Sequence, residues 1–219
     1  MTLVPRSAGD SLRVTVCSRW TELVDALKFH VGVARHGRAP SEFRLLNSSE
    51  PILIGDGADD AGYEKLLKLF NEPPNGTTPL CRHINEIIFR IREMEPDLRK
   101  TNQKVAVIIA TDGESSDGDI AQAMRPLKDL PVWIVVRLCT DEDSVVDYWN
   151  NLDKELELNM DVLDDISGEA EEVFESNCWL TYGEPMHRIR EFGVPFREFD
   201  MLDEKLLTLD QLKRFCVVL

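Results

Sequence analysis

Val105-Ala-Val-Ile-Ile-Ala110-Thr111-Asp112-Gly113-Glu114 decides the fold. Six apolar residues in succession, many of them β-branched, form the pattern of a strand covered on both faces in a parallel sheet. An Asp and a Gly directly after such a strand lie at its carboxyl end, where ligands of open α/β sheets bind. Upstream, Leu80, Ile84, Ile87/Ile88, Ile91 and Met94 share one face of a long helix, opened by the irregular Asn71–Pro79 stretch. Downstream, a helix over 120–127, a second buried strand over 131–139, a helix over 143–157 and a short strand over 160–163 complete the alternation. That order predicts an α/β fold with a doubly wound, mostly parallel sheet.

The first half adds an amphipathic helix from Trp20 to Ala34, ended by Gly37 and Pro40. Two short apolar runs, 43–47 and 51–55, are joined by Ser48-Ser49-Glu50 and predict a hairpin that supplies one antiparallel edge strand. A short helix over 63–70 follows. Beyond residue 166 the character changes: a helical stretch over 170–177, an aromatic turn-rich segment around Trp179 and Tyr182, then a Thr208–Gln211 capping box opening a last helix. The expected division is an N-terminal segment 1–18 in place of a first strand, a domain over 19–166, and an extension over 167–219 packed on that domain.

The long helix descends before the 105–110 strand climbs back, so Thr78 at the helix start and Asp112 at the strand end are expected on one edge. A hydroxyl and a carboxylate converging there suit Mg²⁺ or another hard divalent cation that keeps part of its water. Asn75-Gly-Thr-Thr-Pro-Leu80 and Val105–Glu114 together resemble the second and third signatures of von Willebrand factor type A (vWA) domains. The resemblance spans roughly 19–166 by element order. It implies a non-catalytic protein-binding module, with Thr78 and Asp112 helping to hold Mg²⁺ at a metal-ion-dependent adhesion site (MIDAS) completed by a partner protein's carboxylate. Thr77, Gly113, Glu114, Ser115 and Ser116 are then the expected partner-binding residues. The family's leading Asp-x-Ser-x-Ser motif is missing: Cys17-Ser18-Arg19 stands where it should, and Ser18 alone there is of a usable ligand type.

Composition narrows the alternatives. Forty acidic residues against 25 basic ones give a net charge of −15, which repels phosphate backbones and excludes nucleic acid as the expected partner. Five scattered cysteines without a CxxC pair suggest neither a disulfide framework nor a zinc site, and point to a reduced, cytoplasmic setting. No apolar run reaches membrane-spanning length, and the polar, Pro5-containing N-terminus does not read as a signal peptide. Gly9-Asp10-Ser11-Leu12 spells an esterase nucleophile block, but no buried strand precedes Ser11 and no Asp-x-x-His follows, so hydrolysis is not expected. Asp112–Asp119 lacks the sixth-position Gly and twelfth-position acid of a calcium loop. Of the four histidines, His83 is expected on a helix surface. Trp133 and Trp149 are expected in the core, while Trp179 and Tyr182 suit either core or binding surface. Cys216-Val217-Val218-Leu219 has the form of a geranylgeranylation signal, set against a reading in which the same residues continue the last helix. Peripheral membrane association is expected only if Cys216 carries that lipid.

Overall fold

The computed structural model describes residues 2–4, 13–15, 18–48, 50–57, 60–140, 142–194 and 196–218. At its centre lie three parallel strands in the order β5 (Val105–Thr111), β6 (Val132–Leu138), β7 (Met160–Leu163). Their registers are Val105↔Val132 and Ile134↔Met160. Two antiparallel pairs stand apart from this sheet: β1 (Thr2–Val4) with β2 (Arg13–Thr15), and β3 (Ser41–Phe43) with β4 (Ile52–Ile54). The α/β alternation and the hairpin are therefore present. The hairpin, expected as an edge of the central sheet, is a sheet of its own among the described residues.

The crossovers explain the parallel order. After β5 come α4 (Ile120–Met124) and a 3₁₀ turn over Arg125–Asp129, and after β6 comes α5 (Asp143–Leu156). These segments and α3 (Leu80–Thr101) bury Val107, Ile109, Val132, Ile134, Val136 and Leu138 against Ile84, Ile88, Ile91, Met124, Leu127 and a fully buried Trp149. Each such aliphatic side chain removed from water contributes about 1.5–3 kcal/mol before chain entropy is counted.

The other face of the sheet is covered unevenly. Trp133, Val135 and Ala106 meet the segment after α7 (Glu184–Glu191), where Gly193 has φ +67°. A Cβ at Gly193 would lie 3.1–3.3 Å from those three side chains, so glycine serves both the turn and the close approach. Farther along β5, Ile108 remains 42% exposed. The expectation that β5 is buried on both faces is thus corrected. Val105 N–H donates to Pro131 O and Cys139 N–H to Thr111 O, so odd-numbered residues of β5 face β6. By the same alternation Ala106, Ile108 and Ala110 turn their peptide groups to the outer edge, where no described strand pairs with them.

Helix α1 (Arg19–Gly37) starts at Ser18, whose Oγ accepts from Thr21 N–H at 3.2 Å, and ends at a left-handed Arg38 whose N–H returns to Ala34 and Arg35 carbonyls. With α2 (Asp60–Leu69) and β4 it forms a second apolar cluster of Val24, Val31, Ala34, Ile52, Ile54, Leu66 and Phe70. Gly55, at φ +84°, closes this layer; a Cβ there would come within 2.2 Å of Ala39 O.

The C-terminal extension consists of α6 (Ile166–Ser176), α7, α8 (Arg197–Asp200) and α9 (Leu209–Val218). It has its own cluster of Val173, Tyr182, Met186, Phe199, Met201, Leu202 and Leu207. The capping box forms as expected, with Thr208 N–H donating to Gln211 Oε1 at 2.8 Å and Gln211 N–H to Thr208 Oγ1 at 3.4 Å. Buried ions tie the extension to the sheet. Arg137 of β6 donates from Nε to Glu191 and from NH2 to Glu22 of α1, both at 2.6 Å. Glu191 also meets Arg188 at 2.9 Å and His30 at 3.3 Å.

Candidate metal and partner-binding edge

The carboxyl end of β5 runs into the loop 112–119, which is fastened to the start of α3. Ser116 N–H donates to Thr78 O at 2.8 Å, and Thr78 N–H donates to Ser116 Oγ at 3.0 Å. Pro79 at the N-cap of α3 offers no side-chain acceptor, so the helix takes its cap from outside its own sequence. Asp117 supplies it: Oδ1 accepts from Cys81 N–H and Oδ2 from Arg82 N–H, both at 2.9 Å. Ser115 Oγ adds a third bond to Asp117 at 2.7 Å. Desolvation works against the ionised form, but these donors hold the Asp117 carboxyl below its ordinary range. A carboxylate at a helix N-terminus also meets the positive end of the helix dipole.

This stitching brings the segments of Thr78 and Asp112 to one edge. Asp112 is exposed, Thr78 half-buried, and Glu114, Ser116 and Asp117 are exposed beside them. Gly113 is held from below: its N–H donates to Thr111 Oγ1 at 3.3 Å, and its carbonyl accepts from Thr111 Oγ1 at 3.1 Å and from Trp149 Nε1 at 3.4 Å. Thr77 N–H donates to Asn47 Oδ1 and its carbonyl accepts from Asn47 Nδ2, which ties it to the segment after β3. Ser115 is half-buried, hydrogen-bonded to Asp117 and 3.2 Å from Cys81 Sγ. Of the expected partner-binding residues, Thr77, Glu114 and Ser116 are exposed; Thr77, Ser115 and Ser116 are in part occupied in shaping the loops.

Ser18 is already engaged as the cap of α1. The adjacent carboxylates are engaged as well: Glu22 by Arg19 and Arg137, and Asp165 by Arg19 and the N–H groups of Ser167 and Gly168. The buried guanidinium of Arg137 therefore supplies positive charge close to this edge. Burial alone would lower its pKa, but Cys139, Glu191 and Glu22 drive it further up, so it remains a fixed cation. The one grouping of three Asp, Glu, His or Cys ligand atoms within 4.8 Å among the described residues lies elsewhere, at Glu169, Glu172 and Asp203 of the extension. A cation at the Thr78–Asp112 edge would thus be held by few protein ligands and by water.

Other expected sites fall as follows. His83 is buried rather than on the helix surface: its Nε2 lies 2.9 Å from Leu46 O, because the segment after β3 folds over the start of α3. Tyr182 is buried against His187, with its hydroxyl 3.1 Å from Nδ1, whereas Trp179 is exposed. Ser11 lies outside the described residues. The backbone of α9 is helical through Val218, and the side chain of Cys216 lies outside the described ones. Among the described residues no helix is long and apolar enough to cross a membrane.

Asp117 and the Glu22–Arg137–Glu191 cluster are the features that sequence reasoning missed. A visible signal existed for the second. Arg137 is a lone charge within the apolar run 132–139, and a buried guanidinium requires carboxylate partners. No family model, curated protein or solved structure matches the chain.

Proposed function

We propose that the chain is a non-catalytic, vWA-like interaction module whose partner protein docks at the edge formed by Thr77–Thr78 and Asp112–Ser116. The observation that carries this reading is the pair of hydrogen bonds between Thr78 and Ser116, reinforced by Asp117. Those bonds order two loops at the carboxyl end of the sheet while leaving Asp112 exposed and, among the described residues, without a hydrogen-bond or ion-pair partner. An ordered loop pair that presents an uncommitted carboxylate and hydroxyl suits Mg²⁺ or Mn²⁺ with an open coordination position. A carboxylate of the partner fills that position and joins the two proteins through the ion. Ser18 serves as an outer contact through its cap position.

Protein ligation is sparse, so the isolated domain binds the ion weakly and the partner's carboxylate supplies much of the affinity. Calorimetric titration with Mn²⁺ and Mg²⁺, on the native chain and on Asp112→Ala, tests the metal part. Weak binding that disappears in Asp112→Ala is the expected result. Heat unchanged by that substitution, or none at millimolar metal, removes the ion from the account.

A further inference from the structure

Around the turn after α6, large apolar side chains face water in an ordered setting. Phe174 is 61% exposed, Trp179 46% and Leu206 67%. Their backbone is fixed by Asn177, which is fully buried. Its amide donates to Leu202 O at 2.7 Å and Lys205 O at 2.9 Å, while its Oδ1 accepts from Leu207 N–H at 3.0 Å and Trp179 Nε1 at 3.2 Å. Ser176 Oγ adds a bond to Asp203 O at 2.7 Å. One buried amide thus places the Trp179 and Leu206 segments side by side and satisfies the indole N–H. Ordering entropy that usually opposes docking on exposed side chains has already been spent in folding.

The same junction has an excess of carboxylates. Arg190, fully enclosed, is paired with Glu169, with Asp161 at 3.1 Å and with Asp203 at 2.9 Å. A ligand oxygen of Glu172 lies within 4.8 Å of those of Glu169 and Asp203. One guanidinium therefore pairs with three acids while Glu172 stands beside them unpaired with it, and among the described residues the buried Asp203 Oδ1 has no hydrogen-bond donor. Burial, together with the charges of Asp203 and Asp164, raises the Glu172 carboxyl above its ordinary value. Glu171, Glu175 and Glu204 extend the negative rim on the exposed surface, with Lys205 the base among them.

We infer that this junction is a second docking surface, whose occupant is a basic amphipathic segment of another protein. The apolar face of the segment covers Phe174, Trp179 and Leu206, and a Lys or Arg of the segment reaches the exposed carboxylate of Glu172. Aromatic anchors ringed by charge are where interface energy concentrates. The surplus of acid over base sets the sign of the partner. This surface is formed by the extension and is independent of the Thr78–Asp112 edge.

The test uses the full chain and a short synthetic peptide with Leu and Lys at helical spacing, with a control in which every Lys is replaced by Glu. Affinity is read by calorimetry in metal-free buffer, on the native chain and on Trp179→Ala and Glu172→Gln. Both substitutions are on exposed side chains, and circular dichroism verifies that the fold is retained. The expected result is binding of the Lys peptide alone, weakened about tenfold or more by each substitution and further by added salt. Equal binding of the two peptides, indifference to either substitution, or no binding overturns the inference. So does Ca²⁺ or Mn²⁺ alone binding the chain in a Glu172→Gln-sensitive way, which would make the acidic cluster a metal site instead.

Discussion

Asp117→Ala is the perturbation that bears most on how the candidate edge is built. The substitution removes the acceptor of two α3 N–H groups and of Ser115 Oγ. Loss of a capping carboxylate costs about 0.5–2 kcal/mol. Asp117 is exposed, so water re-solvates the freed donors, and the Thr78–Ser116 pair still holds part of the contact. About 1–2 kcal/mol is the expected loss, which for a chain of this length lowers Tm by roughly 3–6 °C. Asp117→Asn keeps acceptor capacity on one atom but gives up the charge at the dipole, and should fall between native and Ala. Thermal and urea unfolding supply the stability. Amide exchange at Cys81 and Arg82, which should quicken in Asp117→Ala, locates the loss. A Tm within about 1 °C of native, with unchanged exchange at those amides, would refute the argument that this carboxylate ties the 112–119 loop to α3.

Three further outcomes follow from the same reasoning. Amides of Ala106, Ile108 and Ala110 should exchange faster than those of Val107 and Ile109, read by hydrogen exchange with NMR, and uniform protection along β5 would show its outer edge to be covered. Burial, opposed in part by Arg190, raises the Glu169 carboxyl from 4.5 to about 8. The unfolded chain loses that proton first, so this group's contribution is fully present below pH 4.5 and falls by about 1.4 kcal/mol per pH unit toward pH 8. Glu169→Gln should flatten that slope in urea titrations whatever it does to absolute stability, and an identical slope would contradict the assignment. Arg137→Met should cost about 3–5 kcal/mol, because it leaves Glu191 ionised and buried without its closest partner; a loss under about 1 kcal/mol by urea unfolding would mean that Arg188 and His30 suffice.

Local periodicity reveals what local periodicity builds. The stripe on α3, the apolar runs of β5 and β6, the four-residue β7 and the Thr208 capping box were all legible, since each is set by neighbours within a turn or a strand. Position in the sheet was not. Six apolar residues in β5 read as a strand covered twice, yet Ile108 lies where Gly193 no longer shields the face and where no described strand adjoins it. His83 read as a surface residue because its cover, Leu46, lies 37 positions away. The approach of the loop after β5 to the start of α3 was inferable from chain direction alone. What fastens it, an aspartate capping a helix 36 positions upstream, has no signature in a window around either residue.

Paramagnetic broadening by Mn²⁺ tests the central claim most directly, because it maps an ion onto residues without presuming a ligand set. Substoichiometric Mn²⁺ added to the isotopically labelled chain should broaden the amide signals of Thr77–Thr78 and Asp112–Ser116 first, with the effect lost in Asp112→Ala. Broadening centred on Glu172 and Asp203, or spread evenly over the acidic surface, would contradict a metal-assisted binding edge at the carboxyl end of β5.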